Sequence, residues 1–270
     1  MKRWMLLFLL IFTFFLSEIS QAQSNFSIGE VRILRSEKLN EERILNVYLP
    51  QSYKLQDSLP YPVLYLLDGS ANEDFIHVCG LTQFLSMYKL MPEVIVVGIS
   101  NVDRKRDFTF PTTIEKDKKD FPTTGGSEKF MEFLKTELVP FINKEYKVSD
   151  DRLLLGQSLG GLLAAEVFYT YPDLFSKYVI ISPSFWWNGQ SLLKQLDAKL
   201  KSDYTPSGSV FVAVGKEHPV MIKDAKKLAS ILKSKQSKNF KTGFAYLPGE
   251  DHATVMHEAA YQALRFLYKK

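Results

Sequence analysis

The clearest chemical signature in the chain is the segment Gly156–Gly160, whose sequence GQSLG matches the pattern G-x-S-x-G. A short apolar run, Arg152–Leu155, precedes it, and a helical pattern, Leu159–Tyr169, follows it directly. A tight turn between a strand and a helix lifts a serine hydroxyl above the sheet, and the helix start supplies free N–H groups for developing negative charge. The setting predicts Ser158 as the nucleophile of an acyl-transfer reaction. The alternative is a glycine-rich turn that only packs the helix on the sheet.

A serine hydroxyl becomes a nucleophile only when a base removes its proton, and the chain offers four histidines. His252 follows the last predicted strand and precedes the last predicted helix, which is where α/β hydrolases with this serine motif place their histidine. His77 and His257 fall inside helical patterns, and His218 lies at the end of an earlier strand. We therefore predict His252 as the base, with His218 as the alternative.

The third member of such a site is a carboxylate that orients the imidazole, and it belongs after the strand that precedes the last one. Val210–Val214 is that strand, and Glu217 follows its carboxyl end. Asp224 is a second candidate in the next helix, whereas the acidic pair 250–251 adjoins the histidine too closely to reach its far ring nitrogen easily. We predict Glu217 as the acid, and a site without an acid is a further alternative.

Acyl transfer also needs two donors for the oxyanion of the tetrahedral intermediate. The backbone N–H of Leu159 follows the nucleophile and is predicted as one donor. The second donor is expected from the turn after the third strand, at Gly69 or Ser70.

Two further segments are expected to border the substrate pocket. Trp186 and Trp187 follow the sixth predicted strand and could form an aromatic wall for a planar substrate, with core packing as the alternative. Arg104 and Arg106 begin the long segment 101–126 and could bind an anionic or catecholic group, with salt bridges inside the loop as the alternative.

The elements that must position these residues alternate between strands and helices after residue 60. Apolar runs such as Val63–Leu67 are continuous, which is typical of parallel strands covered by helices on both faces. The pattern predicts a doubly wound α/β sandwich, a mostly parallel sheet of about eight strands between two helical layers. The predicted strands are Val31–Leu34, Ile44–Leu49, Pro62–Leu67, Glu93–Ile99, Arg152–Leu155, Tyr178–Ile181, Val210–Val214 and Thr242–Leu247. The main predicted helices are Ser127–Glu145, Leu159–Tyr169, Met221–Lys233 and Thr254–Tyr268.

The composition narrows the class of protein. The 270 residues are 46% hydrophobic and 24% charged, which suits a folded α/β domain rather than a disordered chain. The net charge is only +4 and the lysines are scattered, so we do not expect nucleic-acid binding. The single cysteine, Cys79, excludes an intrachain disulfide and lies in an apolar stretch typical of a buried thiol.

The N-terminus has the pattern of an export signal. Lys2 and Arg3 precede the apolar run Trp4–Leu16, and Ala22 suits signal-peptidase cleavage. The run is shorter than the ~20 residues that span a bilayer, and no cysteine for a lipid anchor stands at the cleavage point. We expect residues 1–22 to be a bacterial signal peptide, residues 23–270 to form a single domain, and the mature protein to be periplasmic or secreted. A retained membrane anchor is the alternative.

Five segments of the chain carry motifs in a recognisable order: PVLYLLDG at 62–69, DRKRD at 103–107, GQSLGG at 156–161, ISPSFWW at 181–187 and GEDH at 249–252. Together they resemble the esterase family of esterase D and the enterochelin (ferric enterobactin) esterases, from about residue 28 to the end. The resemblance implies an α/β-hydrolase fold and hydrolysis of carboxylic esters without cofactor or metal, with Ser158 as nucleophile and His252 as base. It keeps a site without an acid as the alternative to Glu217, because the enterochelin-esterase branch includes members interpreted as Ser–His dyads.

The main functional hypothesis is an exported serine esterase that works through an acyl-enzyme intermediate. Its partner is expected to be a small-molecule or glycan-linked ester, either a catecholate siderophore ester or a polysaccharide-linked acyl ester. The aromatic pair and the basic loop favour aryl or catecholate groups. Two alternatives stay open, an acyltransferase of the same fold and a non-catalytic binding protein, and the sequence leaves the oligomeric state undetermined.

Overall fold

The structure, a computed structural model, describes residues 27–54 and 59–269. The predicted signal peptide, residues 1–22, lies outside the described residues. Within the two described ranges, no helix is both long enough and apolar enough to cross a membrane.

In these ranges eight strands form a single sheet: β1 Glu30–Ser36, β2 Glu41–Tyr48, β3 Tyr61–Leu66, β4 Ile95–Ile99, β5 Val148–Gln157, β6 Lys177–Ile181, β7 Gly208–Gly215 and β8 Phe240–Leu247. Their order across the sheet is β1-β2-β4-β3-β5-β6-β7-β8. β2 is antiparallel to both of its neighbours, β1 and β4. The six strands β3 to β8 are parallel to one another. The predicted mostly parallel sheet of an α/β hydrolase is therefore confirmed.

Side chains of the central strands enter two apolar layers, because successive residues of a strand point to opposite faces of the sheet. In β3, Val63 and Tyr65 join one layer while Leu64 and Leu66 join the other, and none is more than 1% exposed. Burial on both faces stabilises the strand and explains why its sequence is a continuous apolar run.

Helices cover both faces of the sheet and complete the predicted three-layer arrangement. The helices are α1 Phe75–Met87, α2 Arg104–Phe108, α3 Glu115–Asp120, α4 Ser127–Phe133, α5 Val139–Glu145, α6 Leu159–Thr170, α7 Ser191–Lys201, α8 Pro219–Ser234 and α9 Val255–Leu267. A π-helical turn, Leu134–Leu138, joins α4 to α5, and short 3-10 turns occur at Gln51–Lys54 and Trp187–Gln190. α1 and α9 pack on one face, and α4 to α8 pack on the other.

The segment 101–126 is more ordered than its lack of periodicity predicts, because it contains α2 and α3. Asp103 begins α2, where its carboxylate accepts the backbone N–H of Arg106 at 3.0 Å.

The prediction of a buried thiol at Cys79 is confirmed. Its side chain is buried in α1, and burial raises the pKa of the thiol to about 12.

Candidate active site

The predicted nucleophile, acid and base all follow strands of the parallel part of the sheet. Ser158 follows β5, Glu217 follows β7 and His252 follows β8, with β6 lying between β5 and β7. Because parallel strands end at the same edge of a sheet, the fold brings together three side chains that are far apart in sequence.

Ser158 lies in a turn that leaves no room for a side chain at Gly156 or Gly161. Its backbone has φ 60° and ψ −117°, and its N–H donates to the carbonyl of Ile181 in β6 at 3.0 Å. A Cβ added at Gly156 would lie 2.4 Å from the carbonyl oxygen of Gly160. A Cβ added at Gly161 would lie 2.7 Å from the carbonyl oxygen of Ile181. Close backbone approach therefore requires glycine at positions 156 and 161.

Ser158, His252 and Glu217 form a continuous series of hydrogen bonds. The Ser158 Oγ lies 3.0 Å from His252 Nε2, and His252 Nδ1 lies 2.8 Å from Glu217 Oε2. Since a carboxylate can only accept, Nδ1–H of the neutral imidazole donates to Glu217 and the Ser158 hydroxyl donates to Nε2. The structure thus brings together the three predicted residues in the geometry of a nucleophile, a base and an orienting acid.

The Glu217 carboxylate is held as an anion although its side chain is only 2% exposed. Its Oε1 accepts the hydroxyl of Ser182 and, at 3.1 Å, the backbone N–H of Gly215. Burial by itself would raise the pKa of Glu217, but the hydrogen bonds from His252 and Ser182 outweigh it, so the pKa lies below the ordinary value. Glu217 is therefore ionised at neutral pH and able to stabilise a positive charge on His252.

The loop that carries His252 is fixed by short-range hydrogen bonds. Asp251 Oδ1 accepts the backbone N–H of Ala253 at 2.8 Å and that of Thr254 at 3.1 Å. The side-chain amide of Gln157 donates to the carbonyl of His252 at 2.5 Å, which links the loop to the residue before the nucleophile. These contacts fix the backbone from which the imidazole reaches Ser158.

The alternative base and acid have other partners. His218 caps the start of α8, where its Nδ1 accepts the N–H of Val220 at 3.4 Å. Asp224 is buried on α8 and accepts the side-chain amide of Gln190 at 2.9 and 2.8 Å. Neither residue is hydrogen-bonded to Ser158 in the described part of the chain, so the geometry favours His252 and Glu217.

The predicted oxyanion donors are not equivalent. The prediction for Gly69 is wrong, because its N–H already donates to the carbonyl of Ile99 at 3.0 Å. The N–H of Ser70 donates at 3.2 Å to Glu73, an exposed side chain on the surface. Leu159 is the first residue of α6, where the N–H groups have no acceptor within the helix. The Ile99 carbonyl belongs to strand β4, whereas the exposed Glu73 carboxylate can move away and leave the Ser70 N–H to an oxyanion. Leu159 and Ser70 therefore stay as the candidate donors.

The two adjacent tryptophans have different surroundings. Trp187 has no exposed surface, and its Nε1–H donates to the carbonyl of Phe110 at 2.9 Å. Its prediction as a pocket residue is wrong, because a fully buried ring cannot touch a substrate. Trp186 is partly exposed and packs on Phe121, with 5.6 Å between ring centroids. Phe121 directly follows α3 in the segment 101–126 and extends the aromatic surface.

Arg104 and Arg106 both pair with internal carboxylates. Arg104 donates two hydrogen bonds to Asp68, at 2.6 and 2.8 Å, and a third at 3.3 Å to the carbonyl of Gln157. Arg106 donates to Asp107 at 2.7 Å, a bond that raises the pKa of the guanidinium further. The structure thus shows the alternative interpretation, internal salt bridges, for both arginines, although about a third of each side chain is exposed.

Sequence reasoning missed two serines that contact the catalytic residues. The Ser182 hydroxyl donates to Glu217, and the Ser184 hydroxyl lies 3.3 Å from Ser158 Oγ. Both follow β6 at the same sheet edge as the nucleophile, and that position is the signal that could have found them.

The arrangement is suited to nucleophilic attack assisted by acid–base catalysis, with Ser158 half-buried and His252 45% exposed. Among the described residues, no group of three or more His, Cys, Asp or Glu side chains is placed to hold a metal ion.

Known proteins share both sequence and fold with the chain. The model of the Esterase family, described as Putative esterase, matches residues 36–266. The chain is 30% identical over 263 residues to the ferri-bacillibactin esterase BesA of Bacillus subtilis (strain 168), a match that covers 88% of each protein.

Two solved structures extend the comparison to three dimensions. An IroE-like serine hydrolase from Shewanella oneidensis matches with a TM-score of 0.81 and 30% identity, covering 89% of this chain and 80% of that one. The BES protein from Bacillus cereus matches with a TM-score of 0.79 and 27% identity, covering 93% of this chain and 100% of that one.

Proposed function

Because this chain belongs to the Esterase family and is a carboxylesterase-type hydrolase, we propose that it cleaves esters through an acyl-enzyme intermediate on Ser158. The observation that carries the proposal is the series Ser158–His252–Glu217, with distances of 3.0 and 2.8 Å. A serine in contact with a base, and a base in contact with an orienting carboxylate, is the arrangement that acyl transfer requires.

In the first half of the reaction, Ser158 Oγ attacks the ester carbonyl carbon while His252 Nε2 takes the hydroxyl proton. The N–H of Leu159 and that of Ser70 are the proposed donors to the oxyanion. When the intermediate collapses, the imidazolium gives its proton to the leaving alcohol and the acyl group stays on Ser158. Glu217 remains ionised and stabilises the imidazolium.

In the second half of the reaction, water takes the place of the alcohol. His252 removes a proton from the water as its oxygen attacks the acyl carbon. The same proton then returns to the Ser158 oxygen as the bond to the acyl carbon breaks. The products are the carboxylic acid and the free serine hydroxyl.

The substrate that we infer is a catecholate siderophore ester. A relative with 30% identity is described as a ferri-bacillibactin esterase, and the motif residues of the site lie within the matched family region. The partly exposed Trp186 and Phe121 offer aromatic surface on which a catechol ring can stack. The ammonium of Lys105 lies 4.7 Å from the centre of the Phe121 ring and adds positive charge for an anionic ferric complex.

The nucleophile is tested with p-nitrophenyl acetate and butyrate. The wild-type protein is expected to hydrolyse both esters, with a burst of nitrophenol whenever deacylation is slower than acylation. The Ser158→Ala variant is expected to be inactive although its circular dichroism spectrum is unchanged. Full turnover by the folded Ser158→Ala variant would overturn the proposal.

The substrate class is tested with a panel of ferric enterobactin, feruloyl arabinose and acetylated xylan. Ferric enterobactin is expected to have the highest kcat/KM, and the products are expected to be catechol-bearing carboxylic acids. A higher kcat/KM for either glycan ester would assign the enzyme to polysaccharide-linked acyl groups. Formation of a new ester when an alcohol acceptor is added would favour an acyltransferase instead.

We also propose that the protein is exported, on the pattern of residues 1–22. Expression of the full chain in a bacterium is expected to give a mature protein that starts at Gln23, recovered from the periplasm or the medium. N-terminal sequencing that finds Met1 on the active protein would contradict this proposal.

A further inference from the structure

Ser182 is a completely buried serine whose hydroxyl donates to Oε1 of Glu217. The other carboxylate oxygen, Oε2, accepts His252 Nδ1 at 2.8 Å. The two oxygens of one carboxylate are therefore held by different partners, and a carboxylate held at both oxygens cannot rotate away from the imidazole. Within the described residues, Ser182 forms no hydrogen bond with Ser158 or His252.

The backbone of Ser182 is also unusual. Its φ is 44°, in the left-handed region that serine rarely adopts, and its N–H donates to the carbonyl of Ala213 in β7 at 2.8 Å. The preceding residue, Ile181, accepts the N–H of Ser158 at 3.0 Å. The backbone at the end of β6 is thus hydrogen-bonded to the nucleophile through Ile181. Through Ser182 it is hydrogen-bonded to β7, the strand that precedes the acid.

We propose that Ser182 is a positioning residue for the esterase reaction, which fixes the Glu217 carboxylate in the orientation that holds His252 toward Ser158. The inference rests on the proposed function of Ser158. Its physical basis is that a hydrogen bond to a buried charged group is stronger than a neutral one, and that loss of the donor leaves the charge partly unsatisfied.

The test removes the hydroxyl in two ways. Ser182→Ala removes it and keeps the strained backbone, whereas Ser182→Gly removes it and suits a positive φ. Both variants are expected to lose about tenfold in kcat, the effect of one charge-assisted hydrogen bond, with KM changed less than about twofold. Equal losses in the two variants would assign the effect to the hydroxyl and not to backbone strain.

A pH profile separates positioning from packing. The Ser182 hydroxyl lowers the pKa of Glu217, so without this donor the Glu217 carboxylate takes up a proton more easily. This change moves the acidic limb of the kcat/KM profile to higher pH in Ser182→Ala and Ser182→Gly. A loss of packing alone would lower the plateau of kcat/KM without moving the acidic limb of the profile to another pH.

Ser127 provides a matched control, because it is another fully buried serine whose hydroxyl donates to a buried carboxylate, that of Glu166, at 3.0 Å. Ser127→Ala is expected to change thermal stability but to leave kcat and the pH profile as in the wild type. In a Glu217→Gln background, Ser182→Ala is expected to cause no further fall in kcat, since both changes act through one residue.

The outcomes distinguish this inference from the proposed function. Wild-type kcat and an unmoved acidic limb in both Ser182 variants, together with an inactive Ser158→Ala variant, would overturn the role of Ser182 alone. A full additional loss in the Glu217→Gln background would also overturn it. Activity retained by Ser158→Ala would overturn the proposed function itself.

Discussion

At the scale of single residues, the site pairs a half-exposed base with a buried acid. The side chain of His252 is 45% exposed and that of Glu217 is 2% exposed. A base must reach substrate and water, so exposure suits His252. The acid exchanges no proton and acts through its charge, which is most effective away from water.

Glu217→Gln is expected to lower kcat by about 10³-fold with little change in KM, because an amide can present its NH₂ group to His252 and favour the wrong tautomer. Steady-state kinetics with p-nitrophenyl butyrate measure the effect. Asp224→Asn, a change at the alternative acid, is the matched control and is expected to keep wild-type kcat. Equal losses in the two variants would contradict the assignment of the acid.

The neighbouring tryptophans are expected to respond differently to the same truncation. Trp187→Ala removes a fully buried ring and is expected to destabilise the protein by about 3–5 kcal/mol. Trp186→Ala removes a partly exposed ring and is expected to raise KM for a catecholate ester with a smaller loss of stability. Thermal denaturation and kinetics on ferric enterobactin separate the two effects, and an unchanged KM in Trp186→Ala would remove Trp186 from the proposed pocket.

The sequence located Ser158, His252 and Glu217 because each follows an apolar run that ends at the same sheet edge. It could not decide whether a given N–H is free, since that depends on strand pairing. The N–H of Gly69 illustrates this point: it bonds to Ile99, a residue 30 positions away in sequence. Likewise, two adjacent tryptophans look identical in a sequence, and only the packed structure separates the buried ring from the exposed one.

At the scale of elements, the turn between β5 and α6 is tightly constrained by close backbone approach. Backbone atoms approach Gly156 so closely that a methyl group would lie 2.4 Å from the carbonyl oxygen of Gly160. At Gly160 itself the nearest atom to an added Cβ is a side-chain oxygen of Asp68, at 3.3 Å. The two glycines of one motif therefore differ in what they tolerate.

Gly156→Ala is expected to displace the turn, abolish esterase activity and destabilise the protein by roughly 3 kcal/mol or more, because the clash is with backbone atoms. Gly160→Ala is the matched comparison and is expected to cost about 1 kcal/mol and to keep measurable activity. Urea denaturation and p-nitrophenyl acetate hydrolysis measure both variants. Similar behaviour of the two would show that packing at Gly156 is looser than the structure indicates.

The strands were predictable from sequence because burial on both faces forces continuous apolar runs. The long helix pattern over Ser127–Glu145 was also found within its bounds, although a π-helical turn interrupts it. The segment 101–126 was not predictable, because its short helices are held by side-chain bonds. One of these is the cap of α2 by Asp103, which has no periodic signature.

At the scale of the whole molecule, the two apolar layers enclose a few ionisable groups, and their burial affects the stability of the folded state. Glu166 of α6 is 8% exposed, accepts the Ser127 hydroxyl through Oε1, and has an Oε2 without a partner among the described residues. Burial raises the pKa of this carboxyl from 4.5 to about 7. The folded state therefore binds a proton that the unfolded state releases between these values, and stability falls as the pH rises through this window.

Glu166→Gln is expected to remove this pH dependence. At pH 8 the variant is expected to be more stable than the wild type by about 3 kcal/mol, or roughly 10 °C in Tm, and at pH 4 the difference should vanish. Calorimetry at the two pH values measures it. Glu115→Gln, at a side chain 86% exposed, is the control, and a pH-independent gain in Glu166→Gln would contradict the explanation.

The acid and base follow adjacent strands, whereas Phe121 and Lys105 of the proposed pocket belong to the segment 101–126. Evolution can therefore change this part of the pocket without changing the strands that carry the acid and base. Insertions or deletions around α3 can change substrate preference across a lineage, while the bonds of Arg104 to Asp68 and Gln157 and the inherited chemistry of the sheet edge are preserved.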